Sequence, residues 1–315
     1  MMSFLVRKVP SVMLVLFTSS ILAFALPRLA PGDVAAVLAG PDPTPEAVAA
    51  IKADLGLDEP LVSQYLHWIG GVVTGDLGES YIFRRSVSSL LSDRLGSTLE
   101  LAVAAILLTL LVGMTLGVLG GSARRPWVRG ALDLVNGAMV AIPSFLVGLG
   151  LILVFGIMNR WLPVSGQVSV LEDPVIGIQY LILPAVALSL ASAAIKARMV
   201  QTEMLRVRKE DYVDLAIGKG ASPRRITFRH VLPNSLGAAV VALGLQVGNV
   251  LAGAVIVESI FARNGLGQLA VSSATSRDFP VLQVLILAAV FIAVMCQLLS
   301  EVALAALDPR IRLDA

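Results

Sequence analysis

Residues 97–121 read STLELAVAAILLTLLVGMTLGVLGG and contain a single charged side chain, Glu100. Roughly 20 apolar residues in an α-helix cross the hydrocarbon core of a bilayer, so this stretch is long enough to span a membrane. The composition agrees, since 57% of the 315 residues are hydrophobic and only 15% are charged. Soluble domains carry about 25% charged residues. The sequence therefore predicts an integral membrane protein of the all-α class.

Further apolar stretches of similar length predict six transmembrane helices in total. Pro143 and Pro184 fall inside two of them, which membrane helices tolerate because neighbouring groups satisfy the freed carbonyl. The first stretch also resembles a secretory signal peptide. Its apolar run continues past the possible cleavage site at residues 23–25, which favours a span. The predicted spans are residues 9–29, 97–121, 131–157, 178–195, 235–261 and 280–306.

The distribution of basic residues predicts the orientation of these spans. With the amino terminus in the cytoplasm, sixteen of the 24 Lys and Arg residues lie on the cytoplasmic side, as the positive-inside rule favours. Both termini are then cytoplasmic. The chain divides into a cytoplasmic N-terminus with the first helix (1–29), a small external insert (30–96) and a five-helix core (97–315). The core includes a long cytoplasmic loop at residues 196–234.

No catalytic or nucleotide-binding motif is recognisable. Gly218-Lys219-Gly220 lacks the spacing of a phosphate-binding loop, so we do not expect this chain to bind ATP. His67 and His230 are far apart, and the single cysteine, Cys296, excludes an internal disulfide. This pattern argues against a metal site. We expect a non-catalytic chain with no cofactor of its own and no nucleic-acid partner.

The cytoplasmic loop is the most informative segment. Residues 211–220, DYVDLAIGKG, predict a helix that ends at a tight turn, where Gly220 can adopt a positive φ. Pro223 suits the first turn of a following helix. The projection contains no span, so it either lies on anionic lipid as a basic surface helix or docks on a partner protein. Both alternatives stay open on the physics alone.

This loop resembles the EAA loop of importer permeases, which reads E-A-A-x-x-x-G followed further along by I-x-L-P. Three positions depart from the pattern, with Asp214 for Glu, Leu215 for Ala and His230 for Ile. The residues that fall on the spacing are Asp214, Ala216, Gly220, Leu232 and Pro233.

Further matches resemble one branch of these permeases, the B-type subunit of the dipeptide, oligopeptide and nickel ATP-binding-cassette importers. The matches run in order along nearly the whole chain, and the long external insert distinguishes the B-type from its C-type partner. They include residues 30–33 (APGD), 54–60 (DLGLDEP), 75–78 (GDLG), 142–145 (IPSF), 161–163 (WLP), 265–267 (GLG) and 307–310 (LDPR).

The resemblance implies a permease of the bacterial inner membrane that forms an alternating-access pathway with a paralogous subunit. Two cytoplasmic ATPase subunits would bind ATP and Mg and dock on the EAA loops, which makes the five residues on the spacing the ATPase-coupling candidates. An extracytoplasmic substrate-binding protein would deliver di- or oligopeptides. The alternatives are a secondary transporter or channel without ATPase partners and a membrane scaffold. A secondary transporter is typically built from inverted repeats with broken helices, which the sequence does not indicate.

Polar residues within the predicted spans are candidates for the substrate pathway. The main ones are Gln246 and Asn249 in the fifth span and Glu258 near its outer end. For Gln246, Asn249 and Asn136, interhelical hydrogen bonding is the favoured alternative. For Glu258 the equal alternative is a position at the water interface. The glycines expected to permit close helix packing are Gly113, Gly117 and Gly121.

Overall fold

The structure is a computed structural model that describes residues 2–29, 33–40 and 42–307, and its regular elements are helices, which confirms the predicted all-α class. Two π-helical segments, Ile152–Met158 and Ile226–Val231, follow α7 and α10. In chain order the helices are α1 Met2–Leu29, α2 Val34–Ala39, α3 Pro45–Asp54, α4 Leu61–Thr74, α5 Val87–Ser122, α6 Pro126–Ala141, α7 Ser144–Leu151, α8 Pro174–Val207, α9 Asp211–Gly218, α10 Pro223–Arg225, α11 Leu232–Ile260, α12 Leu266–Ser276 and α13 Phe279–Leu307.

Within the described ranges, four helices are long and apolar enough to cross a membrane. They are Lys8–Leu29 of α1, the whole of α5 and α8, and Phe279–Leu299 of α13. A bent pair, α6 with Ser144–Met158, adds a fifth span if its two parts count as one. α11 coincides with the predicted span 235–261, but most of its central side chains lie outside the described part of the chain. The count of six spans therefore stays a prediction.

The predicted third span, residues 131–157, is wrong as an uninterrupted helix. α6 ends at Ala141, and Ile142 takes an extended conformation with φ −86° and ψ 120°. A new helix begins at Ser144, and the two parts meet at 96°. The residue before a proline avoids the α conformation, so Pro143 accounts for the break.

α8 is much longer than the predicted span 178–195, because polar residues extend it at both ends. One carboxylate oxygen of Asp173 accepts hydrogen bonds from the N–H groups of Val175 and Ile176 at 3.0 and 3.1 Å. This cap, with Pro174 in the first turn, starts the helix early. The helix continues through its basic C-terminal half to Val207, a total of 34 residues.

The first of two compact units contains residues 97–263 and the described residues from 295 onward. Its helices pack at glycines of α5. A Cβ at Gly117 would lie 2.7 Å from the Cβ of Val200 on α8, and one at Gly113 would lie 2.9 Å from the carbonyl oxygen of Ala193. Gly121 meets α8 in the same way. The backbones approach so closely only because side chains are absent, which confirms the predicted packing role of these glycines.

The second unit contains residues 2–96 and 264–294. Its short helix α3 starts at a cap, since the Thr44 hydroxyl accepts the N–H of Ala47 at 3.3 Å. Asp278 ties the loop after α4 to the loop before α13. Its carboxylate accepts the Ser80 hydroxyl and, at 3.1 Å, the N–H of Tyr81. The apolar core of the unit contains Val87, Leu90, Leu269, Val281, Val284 and Leu285.

Candidate functional site

α9 ends in a glycine turn with two defined hydrogen bonds. The N–H of Gly220 donates to the carbonyl oxygen of Ile217 at 2.9 Å, and the N–H of Ala221 donates to that of Ala216 at 3.1 Å. This pair of bonds is the Schellman motif, which places a left-handed residue at the position of Gly220. Gly220 has φ +76°, so the predicted positive φ is confirmed.

The helix resumes directly after this turn. The Ser222 hydroxyl accepts the N–H of Arg225 at 3.4 Å, and Pro223 occupies the first helical turn, as predicted. α10 then widens into the π-helical segment and joins α11 at Leu232. Pro233 accounts for the widening, because it has no N–H to donate to the carbonyl one turn earlier. Helix, turn and helix thus form one continuous projection.

The inward side of α9 holds the projection in place. Val213 is 1% exposed and Ala216 is 9% exposed. The guanidinium of Arg208, just after α8, donates to the Thr227 hydroxyl at 2.9 Å and so links α8 to the π-helical segment. Val213 packs in one hydrophobic cluster with residues from those same two segments, namely Val200, Met204, Val207, Ile226 and Val231.

The outward side of α9 carries solvent-exposed apolar side chains. We define the α9 outer face as Tyr212, Asp214, Leu215 and Ile217. Leu215 is 60% exposed and Ile217 is 53% exposed. Phe228, in the π-helical segment, is 55% exposed. A surface helix normally turns its apolar residues inward, and clustered exposed apolar side chains are typical of surfaces that bind another molecule.

The five predicted coupling residues do not share one environment. Asp214, Gly220 and Pro233 are exposed, whereas Ala216 is buried and Leu232 is partly buried. Ala216 and Leu232 therefore support the projection from within. Sequence reasoning missed the exposed apolar residues of the α9 outer face. Part of their signal was available, because Leu215 lies on the side of the helix that faces away from Val213 and Ala216.

Positive charge is concentrated where α8 ends. Burial lowers the pKa of the Arg208 guanidinium, and the neighbouring guanidinium groups of Arg124 and Arg129 lower it further. Arg129 also donates to the carbonyl oxygen of Ala123 at 3.0 Å. The positive charges of Arg124, Arg129 and Arg208 repel one another, so this region favours an acidic partner group.

Glu258 lies at the end of α11 and is fully buried. One of its carboxylate oxygens accepts the Thr98 hydroxyl at 2.7 Å. The alternative position at the water interface is therefore wrong, because neighbouring groups enclose the carboxylate.

Arg263 lies near Glu258, to whose carbonyl oxygen its backbone N–H donates at 2.9 Å, and it is also fully buried. It donates to the carbonyl oxygen of Ser97 at 3.4 Å, and its Nη2 lies 3.9 Å from a carboxylate oxygen of Glu100. Burial lowers the pKa of Arg263, while the carboxylates of Glu100 and Glu258 act in the opposite direction. Thr98, Glu100, Glu258 and Arg263 form what we call the buried ion network.

The structure says less about the other polar residues of the predicted spans. The side chains of Gln246 and Asn249 lie outside the described residues. Asn136 is fully buried, and neither its Oδ1 nor its Nδ2 has a hydrogen-bond partner among the described groups. Within the described part of the chain no hydrogen bond to the Asn136 amide is observed, so the favoured interhelical hydrogen bond stays a prediction.

Comparison with known proteins identifies the family. Residues 113–313 match the model of the binding-protein-dependent transport system inner membrane component, and residues 1–102 match the N-terminal model of the same systems. The chain belongs to this family. It is thus a permease subunit of an ATP-binding-cassette importer and a multi-pass membrane protein, a transport component rather than an enzyme.

Full-length relatives align with the permease from end to end. It is 37% identical over 309 residues to the probable peptide ABC transporter permease protein y4tP of Sinorhizobium fredii, covering 98% of this chain and 99% of the relative. It is 36% identical to the di/tripeptide transport system permease protein DppB of Pseudomonas aeruginosa, with 99% of each chain covered. The glutathione transport system permease protein GsiC of Escherichia coli is 33% identical, also over 99% of each chain.

Among solved structures, the permease resembles a chain of the MetNI methionine ABC transporter in inward-facing conformations. The TM-score is 0.58 at 17% identity, and the match covers 70% of the permease and 96% of that chain. At this identity the likeness establishes the fold alone.

Proposed function

We propose that the permease forms, with a paralogous subunit, an alternating-access pathway for di- or oligopeptides delivered by a substrate-binding protein. The supporting observation is its end-to-end similarity to permeases named for peptides, for di- and tripeptides and for glutathione, itself a tripeptide. These names share one chemistry, a short peptide with charged ends. Peptides rather than nickel chelates are therefore the proposed cargo.

We further propose that a separate ATPase docks on the α9 outer face. The exposed Leu215 and Ile217 offer apolar contact, and Asp214 offers a charged rim. The buried side of α9 packs on residues of α8 and of the π-helical segment that leads into α11, so a push on α9 moves those helices. The proposed coupling residues are Asp214, Ala216, Gly220, Leu232 and Pro233. Ala216 and Leu232 act by supporting the projection from within.

The energy source lies outside this chain in our proposal. Two cytoplasmic ATPase subunits bind ATP and Mg, one docking on this permease and one on its paralogue. The sequence supports this division, since Gly218-Lys219-Gly220 lacks the spacing of a phosphate-binding loop. Closure of the ATPases moves both projections and switches the pathway between inward and outward openings.

The proposed topology has six spans with both termini in the cytoplasm. Residues 30–96 form the external insert, residues 97–315 form the five-helix core, and the loop 196–234 is cytoplasmic. Gln246, Asn249 and Glu258 on α11 are the proposed pathway residues. In the described structure Glu258 is enclosed and bonded to Thr98, so we assign it to a gate that opens rather than to an open lining.

Reconstitution tests the proposed function. The permease, its paralogue and the ATPases in liposomes, supplied with the binding protein, should take up labelled dipeptide only with ATP. A nickel chelate should not replace the peptide. Uptake by the permease alone without ATP would establish the alternative of a secondary transporter or channel.

Introducing a charge into the proposed apolar contact tests the docking surface. Leu215→Glu places a charge where an apolar contact is proposed, and copurification of the ATPase should fall while membrane abundance stays normal. Leu171→Glu is the matched control, because Leu171 is 92% exposed in the loop before α8. Full ATPase copurification and uptake with Leu215→Glu would contradict the docking surface.

A further inference from the structure

A cavity of about 430 Å³ lies within the second unit, where the loops flanking α4 meet the beginning of α13. Its volume falls in the range of roughly 300–1,000 Å³ that is typical of small-molecule sites. It contains no residue of the α9 outer face or of the buried ion network. The functions proposed so far therefore leave this cavity unexplained.

Two hydrogen-bond donors lining the cavity have no partner among the residues that the structure describes. Gln283 of α13 is 3% exposed, and its Nε2 makes no hydrogen bond within the described chain. The indole Nε1 of Trp68 on α4 is likewise buried and unbonded. Buried donors are almost always satisfied, because an unsatisfied donor loses its bonds to water without replacement. The site therefore fits an occupant that presents acceptor oxygens.

The rim of the same cavity carries both signs of charge. Arg84, Asp54 and Glu79 line it and are exposed. In the described part of the chain, none of these three side chains forms a hydrogen bond or ion pair. Among the described lining residues, these three unpaired charges beside two neutral donors match a ligand that has an ammonium group, a carboxylate and carbonyl oxygens.

We propose that this cavity binds a short zwitterionic peptide. Trp68 and Gln283 donate to its carbonyl or carboxylate oxygens, Arg84 pairs with the carboxylate, and Asp54 or Glu79 receives the ammonium group. The site holds peptide on the permease itself, apart from any site on the binding protein. The identity of the ligand rests on the peptide cargo proposed above.

Direct binding tests the site on the complete transporter in nanodiscs without binding protein. Calorimetry with Ala-Ala and with N-acetyl-Ala-Ala-amide, which lacks both charges, should detect only the first. Gln283→Leu and Trp68→Phe should weaken Ala-Ala binding by roughly tenfold or more, since each removes one donor to a charged ligand. The phenyl ring retains contact with Phe24, whose ring centroid lies 6.0 Å from that of Trp68. Trp127→Phe, at a site 68% exposed, is the control and should bind normally.

Thermal unfolding gives a second readout. Ala-Ala should raise the Tm of the wild type but not of Gln283→Leu, because only the former binds it. Without peptide, Gln283→Leu should unfold at the same Tm as the wild type or above it, since it removes an unpaired donor. Any of three results would overturn the proposal. They are a lower Tm for peptide-free Gln283→Leu than for the wild type, no Ala-Ala binding by the wild type, and equal Ala-Ala binding by all variants.

Uptake separates this proposal from the proposed function. ATP-driven peptide uptake by a wild type that shows no binding in nanodiscs would reject the cavity and leave the cargo assignment intact. Ala-Ala binding that the variants lose, without any peptide uptake, would reject the transport of peptides and retain the site.

Discussion

The N–H of Ala221 donates to the carbonyl oxygen of Ala216 at 3.1 Å and closes α9 around Gly220. The bond joins a residue on the buried side of α9 to the first residue beyond the turn. Val213 anchors the same helix in a hydrophobic cluster with residues of α8. The α9 outer face is therefore presented on a fixed element, and a load on it passes to α8 through buried contacts.

The backbone at Gly220 should be more sensitive to substitution than its surroundings. With φ +76°, Gly220→Ala should destabilise the projection by about 1 kcal/mol, and Gly220→Val by more. This is too little to unfold the membrane domain, so abundance should stay near normal. ATPase copurification or the coupling of hydrolysis to uptake should fall.

Gly218→Ala is the matched control for this variant. A Cβ at either glycine meets no atom within 4 Å, but only Gly220 has a positive φ. Alanine at Gly218 lies in a helical turn and should preserve coupling. Equal effects of the two alanine variants on ATPase copurification would show that backbone conformation is not the reason.

Contact between α5 and α8 should depend on Gly117. A Cβ there would lie 2.7 Å from the Cβ of Val200 and 2.8 Å from the carbonyl oxygen of Ala197. Relieving these contacts requires the α8 backbone to move. Gly117→Leu should lower membrane abundance and Tm. Gly130→Leu on α6, where a Cβ meets nothing within 4 Å, should leave both unchanged. A normal Tm for Gly117→Leu would mean that the two helices separate at little cost.

The sequence predicts the helices better than their ends. Apolar length identifies spans in α1, α5, α8 and α13, since lipid requires this length of any crossing helix. Hydropathy limits the fourth span to residues 178–195, yet the Asp173 cap starts α8 at Pro174 and burial of residues in its C-terminal half accompanies its continuation to Val207. The effect of a proline on a span was not predictable from its position in the sequence. Pro143 breaks its span, whereas Pro184 lies within a continuous helix.

The buried ion network should contribute to stability. Removing one partner of a buried charge pair typically costs about 3–5 kcal/mol, because the remaining charge stays buried without compensation. Arg263→Met should therefore lower the Tm of the purified complex by several degrees. Arg160→Met, at an exposed arginine, should change it little. An unchanged Tm for Arg263→Met would show that the acids are satisfied without the guanidinium.

The order of α2 should depend on pH through Asp33. A hydrogen bond from Lys52 holds the pKa of the Asp33 carboxyl below its usual value, and the N–H of Ala35 adds to this. A lowered pKa in the folded state gives stability that is present above the unfolded pKa, near 3.9, and lost as pH falls through the folded value. Amide exchange across Val34–Ala39, corrected for intrinsic rates, should rise between about pH 5 and pH 2.

Lys52→Met is the control for this titration. It removes the principal partner of Asp33 but keeps a long side chain, so the rise in exchange should move to higher pH. High salt should act in the same direction, since both groups are partly exposed and screened. Exchange that is independent of pH in the wild type would contradict a structural role for the pair.

The candidate site could be predicted in part. The left-handed turn at Gly220 follows from local residue chemistry, because glycine and a following proline specify few conformations. The burial of Ala216, Glu258 and Arg263 does not, since it depends on helices distant in sequence. The unpaired donors of Trp68 and Gln283 were equally inaccessible, because partner groups are visible only once the chain is folded.

Photo-crosslinking can detect the proposed contact between the α9 outer face and an ATPase. In a Cys296→Ser background, Leu215→Cys or Ile217→Cys carries a thiol-linked benzophenone in the assembled transporter. Thr202→Cys, exposed on α8, is the control. Illumination should join the first two positions to the ATPase subunit and leave the control unlinked. Crosslinks from Leu215→Cys to lipid alone, in a complex that retains its ATPases, would show that α9 lies on the membrane surface and not against an ATPase.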